Sequence, residues 1–146
     1  MPSAPVTHEV FKPNTLARHR PSSTPRYRFV SNLDGLLLFR REIAPLLDGN
    51  DGARPMWTEK GLQAGGALMD LSNQAIVDRG RIVGLWDWDG VNGRLVWTSF
   101  APADAALKVE AERMAAWIEV ELGDVRSFSL DSPESRGPRL AALRGG

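Results

Sequence analysis

Arg79 and Arg81 flank Gly80, and Arg40 adjoins Arg41, so two short stretches can each offer a pair of guanidiniums to a polyanion. A guanidinium is a planar, permanently charged fork that matches the oxygens of a phosphate, which makes these pairs candidates for nucleic-acid contact. Each has a plainer reading as well. Arg40 and Arg41 can pair with Glu42, Asp48 or Asp51, and a hairpin tip holding Arg79 and Arg81 is where a solvated charge costs least. Trp86 and Trp88 share one face of a strand by alternation, with Leu85 and Asp87 on the other. They could stack bases. The competing expectation is that they bury their large apolar area against a helix, with Trp97 and Trp117 as neighbours.

Acid–base hydrolysis would need two carboxylates about 5 to 9 Å apart with separated pKa values. Asp70, Asp78, Asp87 and Asp89 are the candidates for such a pair, but Asp78 and Asp89 read more simply as turn residues bonding the backbone. With no cysteine and only His8 and His19, disulfides and thiolate metal sites are excluded, and neither metal nor cofactor is expected. The only glutamines are Gln63 and Gln74.

The elements that must position these groups centre on residues 74–99. Runs of Ile, Val and Trp are separated there by Asp78-Arg79-Gly80-Arg81 and by Asp89-Gly90-Val91-Asn92-Gly93, the composition of tight turns between antiparallel strands. This predicts a β-meander. Ahead of it, Tyr27 to Val30 is a short strand-like run, and Asp34 can cap a helix from Gly35 to Glu42 or Ile43, limited by Pro45. The stretches 48–52 and 61–66 read as loops, leaving Pro55 to Glu59 as at best a short strand. Behind the meander, Pro102 suits the start of a helix to Leu122 with Gly123 beyond its end, and Leu107, Ala111, Met114, Ile118 and Leu122 form its apolar stripe. Val125, Phe128 and Leu130 suggest a last strand.

The fold class expected is therefore α+β: a small antiparallel β-meander packed against a long C-terminal helix, with a short helix before the sheet. A chain of 146 residues supports one core. Five prolines within residues 1–25 mark a flexible basic arm, residues 26–132 the folded domain, and 133–146 a flexible tail. The net charge is zero, yet residues 1–28 carry Lys12, Arg18, Arg20, Arg26 and Arg28 against Glu9 alone, so the rest of the chain is net acidic. Such an arm can lie along a polyanion by displacing counterions. No apolar run reaches the roughly 20 residues of a bilayer span, and the N-terminus lacks a secretory layout, so a cytoplasmic protein with no membrane partner is expected.

The series Leu33-Asp34-Gly35-Leu36-Leu37, Arg40-Arg41, Leu46-Leu47-Asp48, then Ile76 through Trp86, then a helix carrying Glu112-Arg113-Met114-Ala115 resembles the C-terminal part of a known group of proteins. That group is the winged-helix DNA-binding family containing the AlkZ and YcaQ DNA glycosylases, and the resemblance spans residues 27–131. It implies a protein that holds duplex DNA and, in the enzyme members, removes an alkylated or crosslinked base. It also implies that the family's catalytic glutamine pair belongs to winged helices ahead of the part matched; neither Gln63 nor Gln74 has the partner that pair requires. No catalytic residue is therefore assigned. Expected DNA contacts are Arg40, Arg41, Arg79, Arg81, Arg26 and Arg28. Two alternatives stand beside DNA association: part of a split glycosylase whose catalytic winged helices lie on a separate subunit, and a protein-interaction module that does not bind DNA.

Overall fold

The computed structural model describes residues 22–38, 42–126 and 131–145. Strand β1 (Tyr27–Val30) leads to a short helix α1 (Gly35–Leu38), which Asp34 caps by accepting the Leu36 N–H at 2.8 Å. A hairpin of β2 (Pro55–Thr58) and β3 (Gly61–Ala64) comes next, then the meander β4 (Gln74–Asp78), β5 (Arg81–Asp89) and β6 (Arg94–Ser99). Helix α2 (Ala105–Trp117) continues as a single π turn to Leu122, and α3 (Gly137–Arg144) closes the chain. The main sheet is antiparallel in the order β1-β4-β5-β6, and β2-β3 is a separate two-stranded sheet. This is the α+β architecture expected, with β1 added to the meander.

The two faces of the sheet bury different partners. Phe29, Ile76, Trp86 and Trp88 pack on Leu107, Ala111 and Ile118 of α2 and its extension. Alternation sends Ala75, Val77, Leu85 and Val96 to the opposite face, where Leu37, Leu46, Leu47, Met56, Leu140 and Leu143 cover them. Both faces are thus covered, so β5 lies almost entirely in the interior. Trp86 seals the junction of three strands: its Nε1 donates to the carbonyls of Ala75 (3.1 Å) and Val30 (3.2 Å), and its ring sits 5.8 Å from that of Phe29.

Several expectations change, among them the reach of α1: Glu42 and Ile43, expected at its end, lie outside any helix, just ahead of the turn that Pro45 helps form. Helix α2 begins later than Pro102 allows, because Asp104 is its N-cap and accepts the Leu107 N–H at 2.8 Å. Residues 61–64 form a strand, since Thr58 Oγ1 closes the turn by donating to the Gly61 carbonyl (2.7 Å) and accepting the Lys60 N–H (3.1 Å). Trp117 is 46% exposed, one step of about 100° round the helix from buried Ile118, and so outside the core; Leu122 is exposed too. Residues 137–144, expected in a flexible tail, form α3, with Pro138 in its first turn and Leu140 and Leu143 buried. Gly123 takes the left-handed conformation expected of it (φ 68°), its N–H bonding the Ile118 carbonyl at 2.7 Å. Val125 is not in a strand, while Phe128 and Leu130 lie outside the described residues, as does the arm before residue 22. No helix among the described residues is long and apolar enough to cross a membrane.

Candidate nucleic-acid interface

Four of the six arginines expected to meet DNA lie on or beside one corner of the sheet, where β1, β4 and β5 meet. The turn between β4 and β5 needs two residues with positive φ, which Arg79 (49°) and Gly80 (81°) supply. The register places Tyr27 of β1 opposite Asp78 and Arg28 opposite Val77, so the start of β1 lies against that turn. Asp78 ties the corner together, accepting the Arg26 backbone N–H at 2.7 Å and pairing with Arg79 at 2.8 Å. Arg26 and Arg28 are exposed beside it. Arg40 and Arg41 lie outside the described residues.

The four guanidiniums do not share one role. Arg79 also donates to the Ser22 carbonyl (3.2 Å), pinning the entry of the chain to the hairpin. Arg81 reaches the other way and donates to the carbonyls of Pro45 (3.1 Å) and Leu47 (3.0 Å). A carbonyl bond orients a guanidinium without neutralising it, and the nearest carboxylate, Asp48, is 3.8 Å away and well exposed. Arg81 is therefore only weakly paired. Arg28 donates to its neighbour's carbonyl, that of Tyr27, at 2.8 Å, and its charge also reaches Glu110. Glu110 belongs chiefly to Arg113, whose hydrogen bonds hold its carboxyl below the usual range. Around the corner Arg79 faces Asp78, Arg81 faces Asp48 and Arg28 reaches toward Glu110, and exposed guanidiniums on neighbouring strands of this kind can contact a phosphate backbone.

A second charged assembly lies inside the molecule, and it was not legible in the sequence. Arg139 of α3 bonds Asp87 of β5 at 2.9 Å and Asp131 at 3.1 Å. Arg136 bonds Asp131 at 3.2 Å, grips Asp124 with two bonds of 2.7 and 3.0 Å, and donates to the Trp88 carbonyl at 3.2 Å. Asp87, Asp131 and Arg136 are at most 1% exposed. Burial pushes the Asp87 carboxyl up, against the pull of Arg139. Burial likewise opposes the charge on Arg139, but its bonds to Asp87 and Asp131 outweigh that and hold its pKa above the ordinary value. The direct contact at 2.9 Å favours an ionised pair at neutral pH. In sequence the partners stand 52 residues apart, and Leu140 to Leu143 reads as no more than a short turn within the tail.

The candidate carboxylates are held by ion pairs within the chain. Asp87 is raised by burial, whereas Asp89 is lowered: burial opposes its charge, but bonds from Asn92 and the charge of Arg144 prevail. Such a split can mark an acid and a base. Here both are at most 2% exposed, and each is closed by arginine, Asp89 at 2.6 Å from Arg144 and 3.5 Å from Arg94. Asp78 is held by Arg79, and Asp70 is an isolated exposed residue. Asp89 also accepts the Asn92 N–H, the turn role expected of it. Gln74 is buried and accepts the Asn32 N–H at 2.7 Å, fixing the loop before α1, and Gln63 donates to Thr58. Trp86 and Trp88 are core residues, at most 3% exposed, and offer no stacking platform. Among the described residues no group of three or more acidic, histidine or cysteine side chains could hold a metal.

The model of the family described as DNA glycosylase AlkZ-like matches residues 7–117. The chain belongs to that family. No curated protein and no solved structure matches it. The AlkZ-like match takes in the arginine corner and all six strands and ends with α2, so Arg136 and Arg139 come from beyond it while their partner Asp87 lies within it.

Asp124 offers a check on the ionic assembly. The two bonds from Arg136 hold its carboxyl below the ordinary value, with Arg126 adding to them and partial burial opposing. A folded-state pKa below the unfolded one adds stability above the ordinary aspartate range, and that stability is lost as pH falls through the depressed value. Asp124→Asn is therefore expected to lower the urea midpoint at pH 7, with the gap to the parent narrowing toward about pH 3. A gap constant across that range would mean that Asp124 acts through packing alone.

Proposed function

We propose that this AlkZ-like chain associates with duplex DNA and does not itself break the glycosidic bond. The observation that carries the reading is the convergence of Arg26, Arg28, Arg79 and Arg81 on one corner in a chain of a DNA-acting family. The sequence adds Arg18 and Arg20 ahead of Arg26, and Arg40 and Arg41 complete the proposed contact set. Base removal would then need catalytic groups from a separate winged-helix subunit, and the protein would act in DNA repair in the cytoplasm. Support for the non-catalytic part comes from the carboxylates: Asp78, Asp87 and Asp89 are each committed to a guanidinium of the same chain.

Incubation with alkylated duplex tests this, with base release and DNA binding followed in the same reaction. Binding without release is expected from the purified chain. Release above background, abolished by substituting Gln63, Gln74 or one of the aspartates, would instead make the chain an enzyme in its own right.

A further inference from the structure

The meander ends on a strand whose outer edge pairs with no further strand among the described residues. Strand β6 is paired with β5 on one side only. The Phe100 N–H bonds the Val83 carbonyl at 2.9 Å, and the register continues unbroken to Asp89 opposite Arg94. In an antiparallel ladder bonded and non-bonded pairs alternate, so Arg94, Val96 and Thr98 turn their backbone groups toward β5. Leu95, Trp97 and Ser99 turn theirs outward. Natural sheets usually blunt such an edge with lysine, proline, a bulge or very short length. The six residues of β6 contain no lysine or proline and show no register shift, and its one charge, Arg94, stands at its start; β1 at the opposite edge follows Pro25 and carries Arg28 within it.

Two grooves run beside this edge. One of about 410 Å³ lies between β6 and α2, with Leu95, Trp97, Ala111 and Ala115 in its wall together with Lys108, Glu112 and Glu119. The other, about 340 Å³, is lined by residues 94–97 and Arg144. Along α2 and its π turn the groove side carries Lys108, Ala111, Glu112, Ala115 and Glu119, and its charged positions with Ala115 are spaced by four, three and four. Run antiparallel against itself, that stripe sets Lys108 facing glutamate at position 119 and Glu112 facing alanine at position 115. It is self-complementary.

We propose that β6 is the seam of a two-fold dimer, its occupant being the β6 of a second copy of this chain. With Trp97 on the two-fold axis it pairs with the partner's Trp97, and Leu95 pairs with the partner's Ser99. These positions carry the outward backbone groups in both copies, so one register satisfies all of them. The two sheets join into one of eight strands, and the same axis brings Lys108 toward the partner's Glu119 twice. A net charge of zero leaves no long-range repulsion against this association.

Sedimentation equilibrium of the full chain, without DNA, tests the seam. The expected species at about 100 µM has twice the 16.0 kDa chain mass and dissociates on dilution toward about 1 µM. Lys108→Glu and Glu119→Lys change exposed residues, and each alone should raise the dissociation constant by about tenfold, since every dimer would then hold two like-charge pairs. The double reversal should restore it. Ser99→Pro, which removes an outward N–H and no bond to β5, should also favour the monomer. A monomer at every concentration, or a dimer indifferent to the single reversals and to Ser99→Pro, would overturn the proposal.

Discussion

Arg139→Ala is expected to cost about 3 to 5 kcal/mol of folding stability, the range for removing one member of a buried ionic group. The loss would come less from the missing attraction than from what remains. Asp87, about 1% exposed, would be left without a charged partner in the interior and, already raised by burial, would be pushed up further, while Asp131 would keep only Arg136. For a domain of this size the melting temperature should fall by roughly 10 °C. The double change Asp87→Leu with Arg139→Met should recover part of that loss, because apolar residues of similar size can replace a buried ion pair at little cost. Asp131 keeps Arg136 in that variant. A loss below about 1 kcal/mol in Arg139→Ala would show that α3 does not dock on β5 through this arginine.

The second large effect is in the opposite core. Trp86→Ala should cost about 3 to 5 kcal/mol, since it empties an aromatic site that is 3% exposed and removes a donor from the carbonyls of Val30 and Ala75. Trp117→Ala, at 46% exposure, should change stability by no more than about 1 kcal/mol. Urea unfolding of the two variants measures both. Equal losses would mean that α2 is rotated so that Trp117 faces the sheet.

Trp117 shows where sequence reading stops. The α2 stripe was legible because Leu107, Ala111 and Ile118 recur at helical spacing, but tryptophan's usual preference for the interior gave the wrong side for a residue between two stripe positions. The meander was legible for a local reason: Asp-Arg-Gly-Arg and Asp-Gly-Val-Asn-Gly are turn chemistry that depends little on the rest of the chain. Strand β3 was missed because Gly61, Gly65 and Gly66 look like loop, and only the hydroxyl of Thr58 in the turn shows otherwise. The buried assembly was missed because Arg136 and Arg139 look like surface residues until Asp87, far back in the chain, is placed beneath them. The arginine corner lies between these cases. Each arginine was noticed, yet their convergence depends on β1 joining the meander at β4.

The measurement that bears most directly on DNA association is duplex affinity at two salt concentrations, about 50 and 200 mM, for the parent chain and a variant lacking Arg18, Arg20, Arg26 and Arg28. The parent's affinity should fall steeply with salt, and the variant's slope of log affinity against log salt should be shallower by roughly 0.9 for each phosphate it no longer neutralises. Affinity that is absent at low salt would contradict DNA association, and a slope unchanged by removing the four arginines would contradict a part in it for Arg26 and Arg28 of this corner and for Arg18 and Arg20 ahead of them.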